Sequence, residues 1–154
     1  MTNRPTSSFT PPDPAFEAKV RDSFARQPAM ALIGARLVSV EPGRVEIALP
    51  FRTELTQQHG YVHGGIIGMI ADSAGGYAAF TLMPPDASVL TVEYKMNILA
   101  PGAGDELLAV GEVLKPGRSL SIIRADVFAL TGGARKHIAA MQQTLMVMHG
   151  MKDR

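Results

Sequence analysis

The stretch TQQHGYVHGGIIGMIADSAGG, residues 56–76, decides the fold of this chain. It passes from a polar loop through two adjacent glycines into a run that stays apolar on almost every side up to Leu82. A helix without a polar face is buried around most of its circumference. We therefore predict a long central helix from about Gly64 to Leu82, enclosed by the rest of the domain.

The same segment also raises a transmembrane alternative, because a spanning helix needs about 20 mostly apolar residues. Asp72 interrupts the apolar run, five glycines weaken it, and Pro84 and Pro85 close it. The rest of the chain has the pattern of soluble strands. A buried helix in a soluble domain is therefore the favoured interpretation.

Strands are predicted on both sides of this helix. Between residues 90 and 98, apolar and polar residues alternate, which is typical of a half-buried strand. Its inner face is predicted to carry Leu90, Val92, Tyr94, Met96 and Ile98. The other predicted strands span residues 36–41, 44–49, 106–115, 119–130 and 136–148. Because short turns join consecutive strands, we predict an α+β fold in which a mostly antiparallel sheet of about six strands wraps the helix.

One further helix is predicted near the N-terminus. Asp13 followed by Pro14 is a typical helix start, since a side-chain cap precedes proline at the first helical position. An apolar residue every fourth position gives this helix one stripe for docking. The stripe consists of Phe16, Val20 and Phe24. Pro28 is predicted to end the helix.

Composition excludes several classes of protein. Lys and Arg number 15 and Asp and Glu 14 among 154 residues, and the net charge of +1 argues against a nucleic-acid binder. The absence of Cys excludes disulfides, zinc–thiolate sites and cysteine nucleophiles and is compatible with a reducing compartment. Residues 1–12 lack the apolar run of a secretory signal. We expect a cytoplasmic protein without membrane or nucleic-acid partners, with a flexible tail over residues 1–12 and a single domain over residues 13–150.

Asp72 is the most unusual residue of the central helix. It lies in apolar surroundings with no Lys or Arg in the same helix, and burial of an unpaired carboxylate is costly. One interpretation is a structural Asp that caps a neighbouring group. We favour the other, a poorly solvated carboxylate that acts as general base or nucleophile in a cleft.

The start of the helix is the second candidate element. The first N–H groups of a helix have no partner within it and carry the positive end of its dipole, and glycine lets a ligand oxygen approach closely. Gly64 and Gly65 are therefore candidates to stabilise an oxyanion, although close packing also explains them. His59 and His63 are four residues apart, a spacing that could hold a metal ion on a helix, but the two lie on either side of a loop. We predict that His63 orders this loop and that the site holds no metal or other cofactor.

Polar residues elsewhere complete the candidate set. The Gln57 amide could donate to a substrate or position a water, and Thr91 could bind a water near the carboxylate. Two cations and a hydroxyl on one Pro-Gly hairpin could hold phosphate groups, although a solvated turn is an equal alternative. These three are Lys115, Arg118 and Ser119.

Together these residues resemble a known family. A loop amide, an HGG sequence that opens a long buried helix, and an acid nine positions after its histidine are similar to the PaaI-type acyl-CoA thioesterases of the hotdog fold. The resemblance extends to TVEYKMNILAPG at residues 91–102 and VLKPGRS at residues 113–119, and covers roughly residues 34–148. The matching positions in the first segment are Gln57, His63, Gly64, Gly65 and Asp72.

The resemblance implies a role for each of these positions. The Gly64 N–H would polarise the thioester carbonyl, and Asp72 would act as nucleophile or as general base on water. Gln57 would help to hold the thioester or the water, and Thr91 would assist the water. Gly65 would also contact the acyl-CoA. A turn would contact the nucleotide end of its coenzyme A. The turn residues are Lys115, Gly117, Arg118 and Ser119.

The resemblance further implies a homodimer in which the HGG loop of one chain faces the Asp of the other. Such dimers commonly pair into tetramers. Two alternatives stay open. One is a hydratase or dehydratase of enoyl or hydroxyacyl thioesters, whose sites resemble an Asp followed shortly by a His, whereas no His follows Asp72 until His137. The other is a non-catalytic module that binds acyl-CoA.

Overall fold

The protein is described here by a computed structural model that covers residues 8–151 and 153. It contains three α-helices and six strands along these residues, and a short 3-10 helix at Thr53–Leu55. The helices are α1 (Phe16–Ala25), α2 (Pro28–Ile33) and α3 (Gly64–Phe80). The strands are β1 (Arg36–Glu41), β2 (Arg44–Pro50), β3 (Ala87–Ile98), β4 (Glu106–Lys115), β5 (Leu120–Thr131) and β6 (Ala134–His149).

One antiparallel sheet wraps the long helix α3, as predicted. Its strand order is β1-β2-β4-β5-β6-β3, so β3, which follows α3 in sequence, forms one edge of the sheet. Helix α3 packs against the inner face of five strands and comes close to β4 at Gly111. A side chain at Gly111 would lie 2.4 Å from the backbone of Ala74, so glycine lets helix and sheet meet there.

Helix α3 is 17 residues long, and ten of its residues are buried. Within the part of the chain that the structure describes, no helix is both long enough and apolar enough to cross a membrane. The remaining stripe of α3, which includes Asp72, is only partly covered by the other described residues of the same chain.

The N-terminal region differs from the prediction in one respect. Pro28 does follow the end of α1, but it also begins a second helix, α2, that was not predicted. Proline suits this first position because its φ is already helical and no N–H is needed there. The six residues of α2 are too few to show a helical period, and the helix ends at Gly34 with φ +77°.

Residues 8–12 form neither helix nor strand, and Phe9 packs against the hydrophobic core. The predicted flexible tail otherwise falls on residues 1–7, which lie outside the described residues.

The predicted inner face of β3 was wrong in its first half. The pairing with β6 shifts between Thr91 and Glu93, which makes Val92 the extra residue of a β-bulge. A one-residue shift exchanges the two faces of a strand. Thr91 therefore faces α3 rather than the polar side, and Leu90 points to the outer face with Met146.

The strand β3 is also less buried than predicted. Leu90, Val92, Tyr94 and Ile98 are each about half exposed, at 49%, 52%, 46% and 51%. Because β3 is an edge strand, it pairs only with β6 among the described residues, and no further strand there covers its other edge.

Candidate active site

Asp72 lies in the middle of α3 and is half-buried. Its Oδ1 accepts two hydrogen bonds, from Thr91 Oγ1 in β3 and from Gln143 Nε2 in β6, each at 2.8 Å. No Lys or Arg among the described residues lies within ion-pair distance of it. The expectation of a carboxylate without partners was therefore wrong, because two neutral donors from the sheet take that role.

The other carboxylate oxygen, Oδ2, accepts no hydrogen bond from any described residue. Asp72 lines a cavity of about 200 Å³ between α1, α3 and β3. Ser23 and Tyr77 also line this cavity, and their hydroxyl groups lie 3.2 Å apart. Burial raises the pKa of the Tyr77 hydroxyl, which therefore stays protonated at neutral pH. Asp72, which carries this free oxygen, therefore borders a cavity whose lining includes neutral hydroxyl groups.

The start of α3 has one free amide. His63 is the N-cap, and its Nδ1 accepts the Gly65 N–H at 2.8 Å. The N–H groups of Ile66 and Ile67 donate to the His63 carbonyl. The Gly64 N–H has no acceptor among the described residues, so Gly64 rather than Gly65 keeps an amide available at the positive end of the helix.

Gln57 lies beside this free amide. Its backbone N–H donates to Tyr61 O at 2.8 Å, and Gly60, with φ +81°, closes the turn by donating to Gln57 O at 2.9 Å. The Gln57 side-chain Oε1 accepts the backbone N–H of His59. The side-chain Nε2 is left as a donor, and Gln57 and Gly64 line the same cavity of about 370 Å³.

The two halves of the predicted site lie apart in one chain. Asp72 and Thr91 line one cavity, and Gln57 and Gly64 line another. Gly64 and Asp72 are eight positions apart on the helix, which corresponds to about 12 Å along the axis. A single carbonyl group cannot contact both within one chain.

The turn at residues 115–119 lies at the sheet end that carries Thr91. Leu120, Met146 and Leu90 pair across β5, β6 and β3, and this row adjoins both the turn and Thr91. The turn is held by hydrogen bonds to residues of β5 and β6 rather than by contacts with Asp72 or Gly64. The Gly117 N–H donates to Ser121 Oγ, His149 Nε2–H donates to Arg118 O, and Ser119 O accepts the Val147 N–H. The Lys115 side chain is exposed.

Gln143 is a site residue that the sequence analysis missed. It is fully buried and donates to the same Asp72 oxygen as Thr91 does. A signal was present, because Gln143 interrupts the apolar positions Met141 and Leu145 on the inner face of β6. An amide at a core position indicates a buried polar partner.

Comparison with known proteins identifies the family of this chain. The model of the thioesterase superfamily matches residues 59–135. The 1,4-dihydroxy-2-naphthoyl-CoA hydrolase of Listeria monocytogenes is 31% identical over 90 residues, which are 58% of this chain and 73% of that enzyme. Matches to curated relatives cover 66–76% of their lengths.

Solved structures show the same fold. A thioesterase family protein from Silicibacter pomeroyi is 50% identical, with 88% of this chain and 99% of that chain covered and a TM-score of 0.86. The E. coli PaaI protein of the phenylacetic acid degradation operon is 18% identical, with 88% and 95% covered and a TM-score of 0.79, which shows the fold alone. Since the family model spans half of the sequence and the fold agrees over most of it, the chain belongs to the thioesterase superfamily as a hotdog-fold thioester hydrolase.

Proposed function

We propose that this protein hydrolyses acyl-CoA thioesters to the free acid and coenzyme A. The observation that carries the proposal is the arrangement of the Asp72 carboxylate. One of its oxygens is held by two donors, and the other is free of hydrogen bonds from the described chain. A carboxylate with one anchored and one open oxygen is suited to attack a carbonyl carbon or to take a proton from water.

The reaction follows one of two routes from this carboxylate. As a general base, Asp72 Oδ2 takes a proton from water while the water oxygen attacks the thioester carbon. As a nucleophile, Oδ2 bonds to that carbon and water then hydrolyses the resulting anhydride. In both routes the C–S bond breaks and coenzyme A leaves as a thiolate. The negative charge that develops on the carbonyl oxygen meets the Gly64 N–H, with Gln57 Nε2 as a second donor.

A complete site needs two copies of the chain, because Gly64 and Asp72 are about 12 Å apart along one helix. A two-fold axis that brings Gly64 of one copy to Asp72 of the other passes near the midpoint between them, Gly68. A Cβ at Gly68 would lie 3.4 Å from the hydroxyl of Tyr94, which is near the middle of the edge strand β3. The same axis can therefore pair two β3 edges and cover the partly exposed stripe of α3.

An apolar patch on the outer face of the sheet supports the pairing of dimers into tetramers. Leu90, Met146 and Leu120 adjoin in register across three strands. They are 49%, 41% and 47% exposed, and contiguous exposed apolar groups commonly mark an interface. Lys115, Arg118 and Ser119, at the same end of the sheet, supply the cations and hydroxyl proposed for the phosphates of coenzyme A.

A panel of acyl-CoA substrates tests the proposed activity by release of free thiol. The panel contains medium- and long-chain fatty acyl, aryl-acetyl and aroyl thioesters. We expect the protein to hydrolyse at least one of these classes of thioester near neutral pH. Tight binding without turnover of any member would instead identify a binding module, and addition of water to an enoyl-CoA without thiol release would identify a hydratase.

A mixed-dimer experiment tests whether the site is shared between chains. Asp72→Asn and Gly64→Pro variants, each expected to lose at least about 99% of kcat alone, are unfolded together and refolded as a mixture. Each heterodimer has one intact site, so random pairing restores about a quarter of the wild-type activity if the site is shared. Hydrolysis is measured as thiol release, with each variant refolded alone as the control. A mixture no more active than its parts would place the whole site in one chain.

A further inference from the structure

Gln143 is a polar side chain in the hydrophobic core of the domain. The residue is 0% exposed, and its neighbours on the inner face of β6 are the buried Met141 and Leu145. A buried amide without hydrogen bonds destabilises the folded state, so its presence at a core position indicates a partner there.

Only one half of this amide has a partner. Nε2 donates to Asp72 Oδ1 at 2.8 Å, whereas Oε1 is buried with no hydrogen-bond partner among the described residues. An ionised carboxylate only accepts hydrogen bonds, so the amide must turn its NH₂ group towards Asp72. Leaving Oε1 unpaired is the energetic cost of that orientation.

The unpaired oxygen rests against the backbone of α3 at Gly75. A Cβ at Gly75 would lie 1.7 Å from Gln143 Oε1 and 2.8 Å from its Cδ. No side chain larger than hydrogen fits there while the amide keeps its place. Gly75 thus provides the space that lets Gln143 reach the carboxylate one turn earlier on the same helix.

Thr91 Oγ1 donates to the same Asp72 oxygen at 2.8 Å. Oδ1 is thereby fixed from two directions, by β3 through Thr91 and by β6 through Gln143. Two donors on one oxygen hold both the position of the carboxylate and its rotation about the Cβ–Cγ bond. Oδ2 keeps no hydrogen bond from the described chain and is left for the reacting water or carbonyl carbon.

We propose that Gln143, seated against Gly75, is a positioning residue that selects Oδ2 of Asp72 as the reacting oxygen. The inference rests on the proposed function, since it assigns the orientation of the same carboxylate. Gln143 does not itself touch the substrate, and it acts on the rate through Asp72.

Gln143→Met tests this role, because methionine has a similar length and suits an apolar core but offers no N–H donor. We expect kcat for the best acyl-CoA of the panel to fall roughly 10- to 100-fold, the scale expected of a misplaced catalytic group. KM should stay within about twofold, since substrate contacts are unchanged. The matched control is Gln142→Met, the exposed neighbour on the same strand, which should keep the wild-type kcat.

Gly75→Ala is the second variant, because its methyl group displaces the Gln143 amide without changing Gln143. The end of a glutamine side chain can move, so this variant should fold, and kcat should fall in the same range. If Gln143→Met does not fold, as judged by circular dichroism, Gly75→Ala decides the question alone. A folded Gly75→Ala or Gln143→Met enzyme with wild-type kcat overturns the inference.

The Asp72→Asn background separates positioning from a structural role. If Gln143 acts through the carboxylate, adding Gln143→Met to Asp72→Asn should lower kcat no further. A second full loss in the double variant would assign Gln143 to structure and reject positioning. If Asp72→Asn is inactive while Gln143→Met is fully active, only this inference fails. If the wild-type protein hydrolyses no acyl-CoA, the proposed function fails and this inference with it.

Discussion

Replacement of Asp72 by Asn should lower kcat by about 10²–10⁴-fold, the usual range for loss of an acid–base group. An asparagine keeps one carbonyl oxygen that can still accept hydrogen bonds from Thr91 and Gln143. The packing of α3 against the sheet should therefore be preserved. What the variant loses is the free carboxylate oxygen, because the NH₂ group in its place neither attacks a carbonyl nor takes a proton from water.

The measurement is release of free thiol under saturating acyl-CoA, with thermal unfolding to confirm that the variant folds. Asp86→Asn is the matched control, since it makes the same chemical change in an exposed loop before β3. The control should keep the wild-type kcat. If folded Asp72→Asn hydrolyses several acyl-CoAs at the wild-type rate, Asp72 is neither the base nor the nucleophile.

Replacement of Gly64 by Pro should lower kcat by about 10²–10³-fold, the usual effect of losing one oxyanion donor. Proline removes the backbone N–H, which has no acceptor in the described chain and is the proposed contact for the thioester oxygen. Gly64 is the first residue of α3, a position where proline is well tolerated. The preceding residue, His63, has φ −59° and ψ 137°, an extended conformation that a following proline allows. The helix should therefore still form.

Gly64→Ala supplies the control for this variant. Both substitutions add a Cβ, which would lie 2.9 Å from the Cδ1 atom of the Ile98 side chain, but alanine retains the N–H. The steric effect of the Cβ is therefore shared, and the additional loss in Gly64→Pro reports the replacement of the N–H by the proline Cδ. Equal kcat values for the two variants would show that the Gly64 N–H does not stabilise the transition state.

The elements of this fold were largely predictable because each has a local signal. The apolar run after HGG predicted α3 over residues 64–82, and the helix spans Gly64–Phe80. Alternating apolar residues and Pro-Gly or Gly-Gly turns predicted all six strands to within a few residues. Helix α2 was missed because six residues contain less than two turns.

The surroundings of Asp72 were not predictable in the same way. Val92 fits the alternation of apolar and polar residues in its strand. Nothing in that alternation therefore indicated the bulge that turns Thr91 towards Asp72. Gln143 lies 71 residues after Asp72, and only the pairing of β6 beside β3 brings the two together. The expected roles of the turn at residues 115–119 stay predictions.

By itself, the sequence determined a central helix opened by two glycines, an acid within that helix, and a sheet to enclose it. These properties follow from the period of apolar residues and from the backbone preferences of glycine and proline, which act over a few residues. Only the tertiary structure decided which carboxylate oxygen is held, which amide stays free, and that Gly64 and Asp72 face different cavities. The reason is that hydrogen bonds to a side chain depend on strand register and helix packing, which join residues far apart in the chain.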